Sequence, residues 1–344
     1  NRSIQDATRV LPESNQNSFG GANYRFNNLS IDGSATNDVL GFQEPASGAA
    51  GSTASGTPGG LAGTQPIGYG AISALSIKTA PFDVTYGNFT GASINAVTKS
   101  GTNQFQGDVY GFGRNEWLLG KRANGERQPN AQFGDAQLGI SLGGPIVKSK
   151  VFFFANAEYA TRIEPVLNGP GTSESDIPMS VVSEIADTLI ARYGYDPGIA
   201  KNAKLDTRSL KLFGRLDFNL SANHQLTFRD NYVSGFADRL EWTPNFFNFG
   251  NQGYRHSSRT NSLVAELRSI LKANLYNKLT LSQTTVVDAR TFTGRVFPHI
   301  EINYNTANTI FAGTYREAAV YGLTLNTTQF TDNLTFYKNK HILT

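Results

Sequence analysis

From Phe105 onward the chain alternates apolar and polar positions with a period of two, the pattern of strands with one apolar face. The sharpest run sets Leu210, Leu212, Gly214, Leu216, Phe218 and Leu220 on one face against Lys211, Phe213, Arg215, Asp217 and Asn219 on the other. Similar runs are Ala136 to Leu142, Val151 to Tyr159 and Leu263 to Leu271, and weaker ones begin near Phe105, Leu226, Leu279 and Thr328. They predict about eight strands, each near the roughly 9–11 residues that a tilted strand needs to cross a bilayer.

The connections alternate in length. Short polar or Gly/Pro-containing links are expected at 143–150, 221–224, 273–277 and 338–341, and long ones at 115–132, 164–206, 238–259 and 292–323. Short turns on one rim and long loops on the other mark an outer-membrane barrel, with the short side periplasmic. Phe152, Phe153 and Phe154 follow one short turn, Phe336 and Tyr337 precede another and Tyr276 lies in a third, as an interfacial girdle requires.

One segment departs from period two. Over 178–193, Val182, Ile185, Ala186, Leu189, Ile190 and Tyr193 share a helical face. Asp176 is placed to cap the start and Gly194 to end it, which predicts a helix in the 164–206 link, packed on neighbouring loops. The Gly/Ser/Ala-rich stretch 43–65 reads as a mobile loop. Trp242, Phe246, Phe247, Phe249 and Tyr254 form an aromatic cluster in one long link. Two readings stand for it: contact with an extracellular ligand or surface partner, and packing of loop on loop at the barrel mouth.

Composition narrows the class. The 344 residues contain 35 glycines and 11% aromatics, with a mean hydropathy of −0.31. No apolar run reaches the roughly 20 residues of a spanning helix, which leaves a barrel untouched. A net charge of +3 without a dense basic cluster argues against nucleic acid. With no cysteine there is neither a disulfide nor a thiolate metal site.

Catalytic motifs fail on context. Gly139-Ile140-Ser141-Leu142-Gly143 matches a nucleophile elbow, yet Ser141 continues an alternating strand instead of opening a helix. The four histidines are widely spaced, and the polar stretch from Asp32 to Asp38 lacks the glycine and distal Glu of a calcium loop. The expectation is a protein that is no enzyme and carries no cofactor or metal.

The stretch from Ala74 to Asn103 resembles the plug of TonB-dependent outer-membrane transporters. Ser76, Ile77, Tyr86, Gly87, Gly91, Ile94, Asn95, Thr98, Lys99 and Gly101 fall at the matching places. Ala80-Pro81-Phe82-Asp83, Phe89-Thr90-Gly91 and the run from Asn95 to Gly101 resemble the Oar-like branch. Upstream, Tyr24-Arg25-Phe26 leading into Ile31-Asp32-Gly33 resembles the first plug strand and its turn.

The resemblance implies an all-β membrane protein: an N-terminal α+β plug over 1–103, then over 104–344 the first eight or so antiparallel strands of a large barrel. A compact domain of about 100 residues has a radius of gyration near 13 Å. Eight strands enclose only their own side chains, whereas about 22 leave a lumen that can be plugged. The expectation is therefore the N-terminal portion of a longer transporter.

By resemblance, the function is import of an extracellular ligand through plug remodelling, with outer-membrane lipid and a TonB energy transducer as partners. The alternative within the Oar-like branch is a structural, adhesion or protein-export role. A passive porin is disfavoured, since a plug blocks diffusion. Arg25, Lys78 and Lys99 are expected to hold the plug through carboxylates on inward strand faces, such as Asp217 or Glu266.

Overall fold

A computed structural model describes residues 4, 11–15, 18–19, 21–22, 26–37, 57–79, 91–118, 122–123, 126–127 and 132–344. Arg25, Tyr86 and Gly87 of the plug motif and residues 43–56 of the Gly-rich stretch lie outside them.

Beside two minimal ladders, Ser14–Asn15 with Ser18–Phe19 and Arg122–Ala123 with Glu126–Arg127, the strands in chain order are β1 (Asn28–Ile31), β2 (Ser34–Ala35), β3 (Ile72–Thr79), β4 (Ala92–Thr98), β5 (Gln106–Asn115), β6 (Gly134–Val147) and β7 (Val151–Pro165). After helix α1 (Met179–Tyr193) come β8 (Lys204–Asn219), β9 (His224–Arg239), β10 (Phe246–Asn248), β11 (Tyr254–Lys272) and β12 (Leu275–Phe292). The last are β13 (Ile300–Asn303), β14 (Thr309–Ala312), β15 (Gly322–Lys338) and β16 (His341–Leu343).

Nine of these form one antiparallel wall in the order β16-β15-β12-β11-β9-β8-β7-β6-β5. Each long strand pairs with the next long strand along the chain, alternately through a tight turn and a long link. The eight runs of period two all become strands of this wall, and the short β16 adds a ninth. At 10 to 19 residues most exceed a bilayer crossing, so they extend past it toward the long-loop rim.

The turns are tighter than the sequence suggests. Gly143 to Ile146 belong to β6, which runs to Val147 with a register shift between Pro145 and Val147, and only 148–150 make the turn. Proline is admitted there because a bulge spares it a ladder hydrogen bond. Ala273 and Asn274 alone separate β11 from β12. Tyr254 opens β11 and so belongs to the wall, not to a loop.

The alternation along β8 acquires a direction. Lys211, Phe213 and Asp217 are 2–4% exposed, whereas Leu210, Leu212 and Leu216 are 38–41% exposed. The polar face is covered and the leucine face is bare, the reverse of a water-soluble sheet and the arrangement a lipid solvent demands. Phe154 turns inward, packing on Phe213 with ring centroids 6.2 Å apart, and so is not part of an outer girdle.

What covers the polar face is a second, four-stranded sheet in the order β2-β1-β4-β3, with β1 and β4 parallel. Leu29, Ile31, Ile94, Ala92 and Ala96 form its core, joined to Phe154 and Phe213 of the wall.

On the long-loop side, β10, β14 and β13 make a third sheet. Helix α1 packs on it through Val182 and Leu189, with Ile185 and Ala186 partly buried. Ile190 and Tyr193 are exposed, so the apolar stripe is narrower than its sequence spacing implies. Pro178 takes the N-cap position with no side-chain cap, displacing Asp176, and Gly194 ends the helix at φ 58°. Trp242, Phe247 and Phe249 are 0–4% exposed within this outer cap.

Candidate functional site: the seam between small sheet and wall

Ile31 pairs with Ser34, so Asp32 and Gly33 form a two-residue hairpin loop. Both have positive φ, 47° and 87°, as a type I′ turn requires, and an Asp-Gly pair supplies this with least strain. The turn presents the Asp32 carboxylate to the wall.

Four groups converge on it. The backbone N–H of Thr98 donates to Oδ1 at 2.8 Å, and the Thr98 hydroxyl donates to Oδ2 at 2.7 Å. From the wall, the Arg229 guanidinium donates to Oδ2, and Arg215 lies 3.8 Å away. Arg229 also donates to the Ile31 carbonyl at 2.8 Å, and Arg215 donates to the Thr98 hydroxyl at 2.9 Å. Asp217, receiving Arg215 at 2.9 Å and the Thr227 hydroxyl at 2.7 Å, holds that arginine in place.

The motif residues of β4 support the turn. Asn95 Oδ1 accepts from the Ser30 hydroxyl and the Gly33 N–H, both at 2.9 Å. At Gly91 the N–H donates to the Phe26 carbonyl at 3.2 Å, and an added Cβ would meet Asn27 Oδ1 at 2.3 Å. Lys99 sits 3.6 Å from Asp108, but both are well exposed and the pair contributes little.

Of the cations expected to hold the plug, Arg25 lies outside the described residues and Lys99 faces the wall carboxylate Asp108, not Asp217 or Glu266; at the Asp32 seam the direction is the opposite one. The small sheet brings the carboxylate and the wall brings the arginines, while Asp217 and Glu266 are occupied by wall cations, Arg215 for the first and Arg268 and Lys278 for the second. Sequence reasoning had placed Arg215 and Asp217 on one polar face. It missed Arg229 because that strand's alternation is weaker.

A second anchorage lies along the Gly-rich connection. Glu158 and Lys211, facing each other on β7 and β8, pair at 2.6 Å. The Tyr110 hydroxyl donates to the other Glu158 oxygen at 2.6 Å, and the Tyr69 N–H donates to that same oxygen at 3.1 Å. Gly70 N–H donates to the Tyr110 oxygen at 3.2 Å, an approach that leaves no room for a Cβ, which would lie 2.6 Å from Asn156 and 2.8 Å from Tyr110. Asn231 donates to the Pro66 carbonyl at 2.7 Å and Arg239 to that of Leu61 at 2.6 Å. Residues 57–65, expected as mobile loop, are thus pinned to the wall and almost wholly buried.

Of the aromatic cluster, the rings of Trp242, Phe247 and Phe249 touch one another, with centroids 5.0 to 5.5 Å apart along the chain of contacts. Phe246 is half-buried against Phe311, and Tyr254 stacks on Tyr315 at 5.2 Å. These contacts join the outer loops together; they do not form an open aromatic face.

The chain matches a family model described as an outer membrane beta barrel domain over residues 97–172. A TonB-dependent transporter, Oar, from Myxococcus xanthus is 27% identical over 242 residues, 66% of this chain and 20% of that protein. The chain is a homologue of the TonB-dependent transporters of the outer membrane.

Solved structures agree in fold. The outer membrane transporter YddB from Escherichia coli superposes with a TM-score of 0.61 at 13% identity, over 93% of this chain and 39% of that one. A ferric enterobactin receptor mutant from Pseudomonas aeruginosa gives 0.59 at 13% identity, over 97% of this chain and 44% of that one. The chain spans about a fifth of the length of this curated relative and less than half of these two structures. Its place is the bacterial outer membrane, with the leucine face of the wall against lipid. Relatives at this level are transporters and receptors, not enzymes.

Proposed function

We propose that this homologue of TonB-dependent transporters imports an extracellular ligand, and that residues 1–103 act as a plug which must leave or remodel against the wall formed by residues 104–344. The observation that carries the reading is the Asp32 seam, where one carboxylate at the tip of a hairpin is held by two wall arginines. Such a contact is strong while closed, and it releases as a unit when the hairpin is drawn away.

An energy transducer of the TonB type supplies the pull, and the extracellular ligand is held above the plug, beneath the outer cap. The work is mechanical, a bistable element biased by a partner. Gly91, Asn95, Thr98 and Lys99 shape the plug and its turns in this reading, Arg25, Tyr86 and Gly87 belong to the same motif, and none performs covalent chemistry.

These 344 residues contain no cysteine, and any elsewhere in the full protein is first replaced by serine. Ser34, 4% exposed beside the seam, is replaced by Cys in the full protein in living cells, and a membrane-impermeant maleimide is added. Labelling should rise when the transducer and proton-motive force are both present and fall to background without either. Labelling indifferent to the transducer would sink the import reading.

A further inference from the structure

Asp230 stands on the wrong side of the wall. Along β9, Arg229 and Asn231 point to the small sheet, which they bind through Ile31 and Pro66. Asp230, between them, must therefore face outward with Phe228 and Tyr232. Its cross-strand neighbours are Gly214 on β8 and Leu263 on β11, which place the carboxylate in the lipid-facing band. A charge there destabilises a barrel, and an ionisable side chain in that position marks a functional site by default.

The surface beside it is hollow. A groove of about 640 Å³ runs across β6 to β11, with Asp230, Tyr232 and Asn261 along one side. Its floor is made of small residues, Ala155, Ala157 and Gly214, and Ile140, Leu142 and Leu212 wall the other side. A Cβ added at Gly214 would find nothing within 4 Å, so the hollow is open space.

Asn261, the cross-strand partner of Tyr232, lines the groove on the same side as the carboxylate. An ionised carboxylate offers about four acceptor sites, and a medium without water fills none of them. The groove falls in the roughly 300–1,000 Å³ range of small-molecule sites. It is too local for a stable protein interface, which buries about 1,200 Å² or more. A second copy of the chain would bring another carboxylate to the same place, which is electrostatically unfavourable.

We propose that this groove is a membrane-embedded binding site for a single-chain amphiphile whose head donates hydrogen bonds, a protonated amine above all and a hydroxyl after it. The hydrocarbon lies over Ala155, Ala157 and Gly214, and the donor meets Asp230 and Asn261 below Tyr232.

The full chain, purified from outer membranes and stripped of lipid, is offered dodecylamine, dodecanol and dodecanoate, and bound amphiphile is counted by native mass spectrometry. Dodecylamine should be retained at least tenfold over dodecanoate, with dodecanol between. Asp230→Leu should abolish the difference. Gly214→Leu fills the floor with the carboxylate intact and should lose amine and alcohol together. Heat-modifiable mobility checks that each variant is folded. Equal retention of amine and carboxylate, or a preference unchanged by Asp230→Leu, overturns the proposal. So does an unchanged lipid count accompanied by loss of a co-purifying membrane protein from Asp230→Leu, which would make the carboxylate a protein contact.

Discussion

Lys211 Nζ and Glu158 Oε1 lie 2.6 Å apart with side chains only 5% and 1% exposed, an ion pair sealed between the wall and the connection at Tyr69. Removing one partner of such a pair leaves an uncompensated buried charge and costs about 3–5 kcal/mol, whereas replacing both by apolar groups is often neutral. Lys211→Met should therefore lower the denaturation midpoint of the detergent-solubilised protein sharply, and Lys211→Met with Glu158→Leu should recover most of it. Circular dichroism in a urea series measures both, and equal loss in the single and double variants would contradict the pairing.

Asp32→Asn keeps the shape of the hairpin and removes its charge, leaving the cross-strand neighbours Arg229 and Arg215 on the wall without their shared carboxylate. The loss should act locally, through opening of β1, β2 and β4, because the wall has its own ladder of strands. At about 3 kcal/mol, amide exchange in those strands rises by roughly a hundredfold while β8 and β9 are unchanged. Hydrogen-exchange mass spectrometry distinguishes this from global loosening.

Gly70→Ala pushes a methyl group against the side chains of Tyr110 and Asn156, contacts of 2.6 to 2.9 Å that are relieved only by disturbing their hydrogen bonds to Glu158 and the Ile140 carbonyl. Overpacking of this kind costs about 1–3 kcal/mol. The expected sign is destabilisation, reduced when Tyr110→Ala is made in the same chain; additivity of the two would refute the contact.

Leu212→Arg puts a charge on the lipid face and should cost up to about 2–4 kcal/mol, falling toward zero near an interface. Leu212→Phe should be tolerated. Urea titration in lipid vesicles gives the difference, and equal stability of the two would place that face in water.

Phe249 is fully buried in the outer cap, and Phe249→Ala should cost about 3–5 kcal/mol of cap stability. The effect should be confined to the loops: faster proteolysis around α1 and the 240–253 connection, with the wall's heat-modifiable mobility retained.

Much of this protein was legible along the chain because strand periodicity is a local property. The eight runs of alternation became wall strands, the long and short links fell on opposite rims, and Gly194 ended its helix. The Asp-Gly pair announced its own turn, since few other residues accept two successive positive φ angles. Tyr254 was misplaced because an aromatic at a strand start looks the same as one in a loop, and Asp176 because a proline nearer the first turn took the cap position.

Alternation, however, has no sign. That Leu212 faces lipid and Lys211 the interior depends on what covers each face, and coverage comes from a sheet more than a hundred residues away in sequence. The same holds for the seam. Asp32 and Arg229 are 197 positions apart, and no local pattern couples them; only the closing of the wall around the small sheet brings the two charges together, and removes enough water for their attraction to matter.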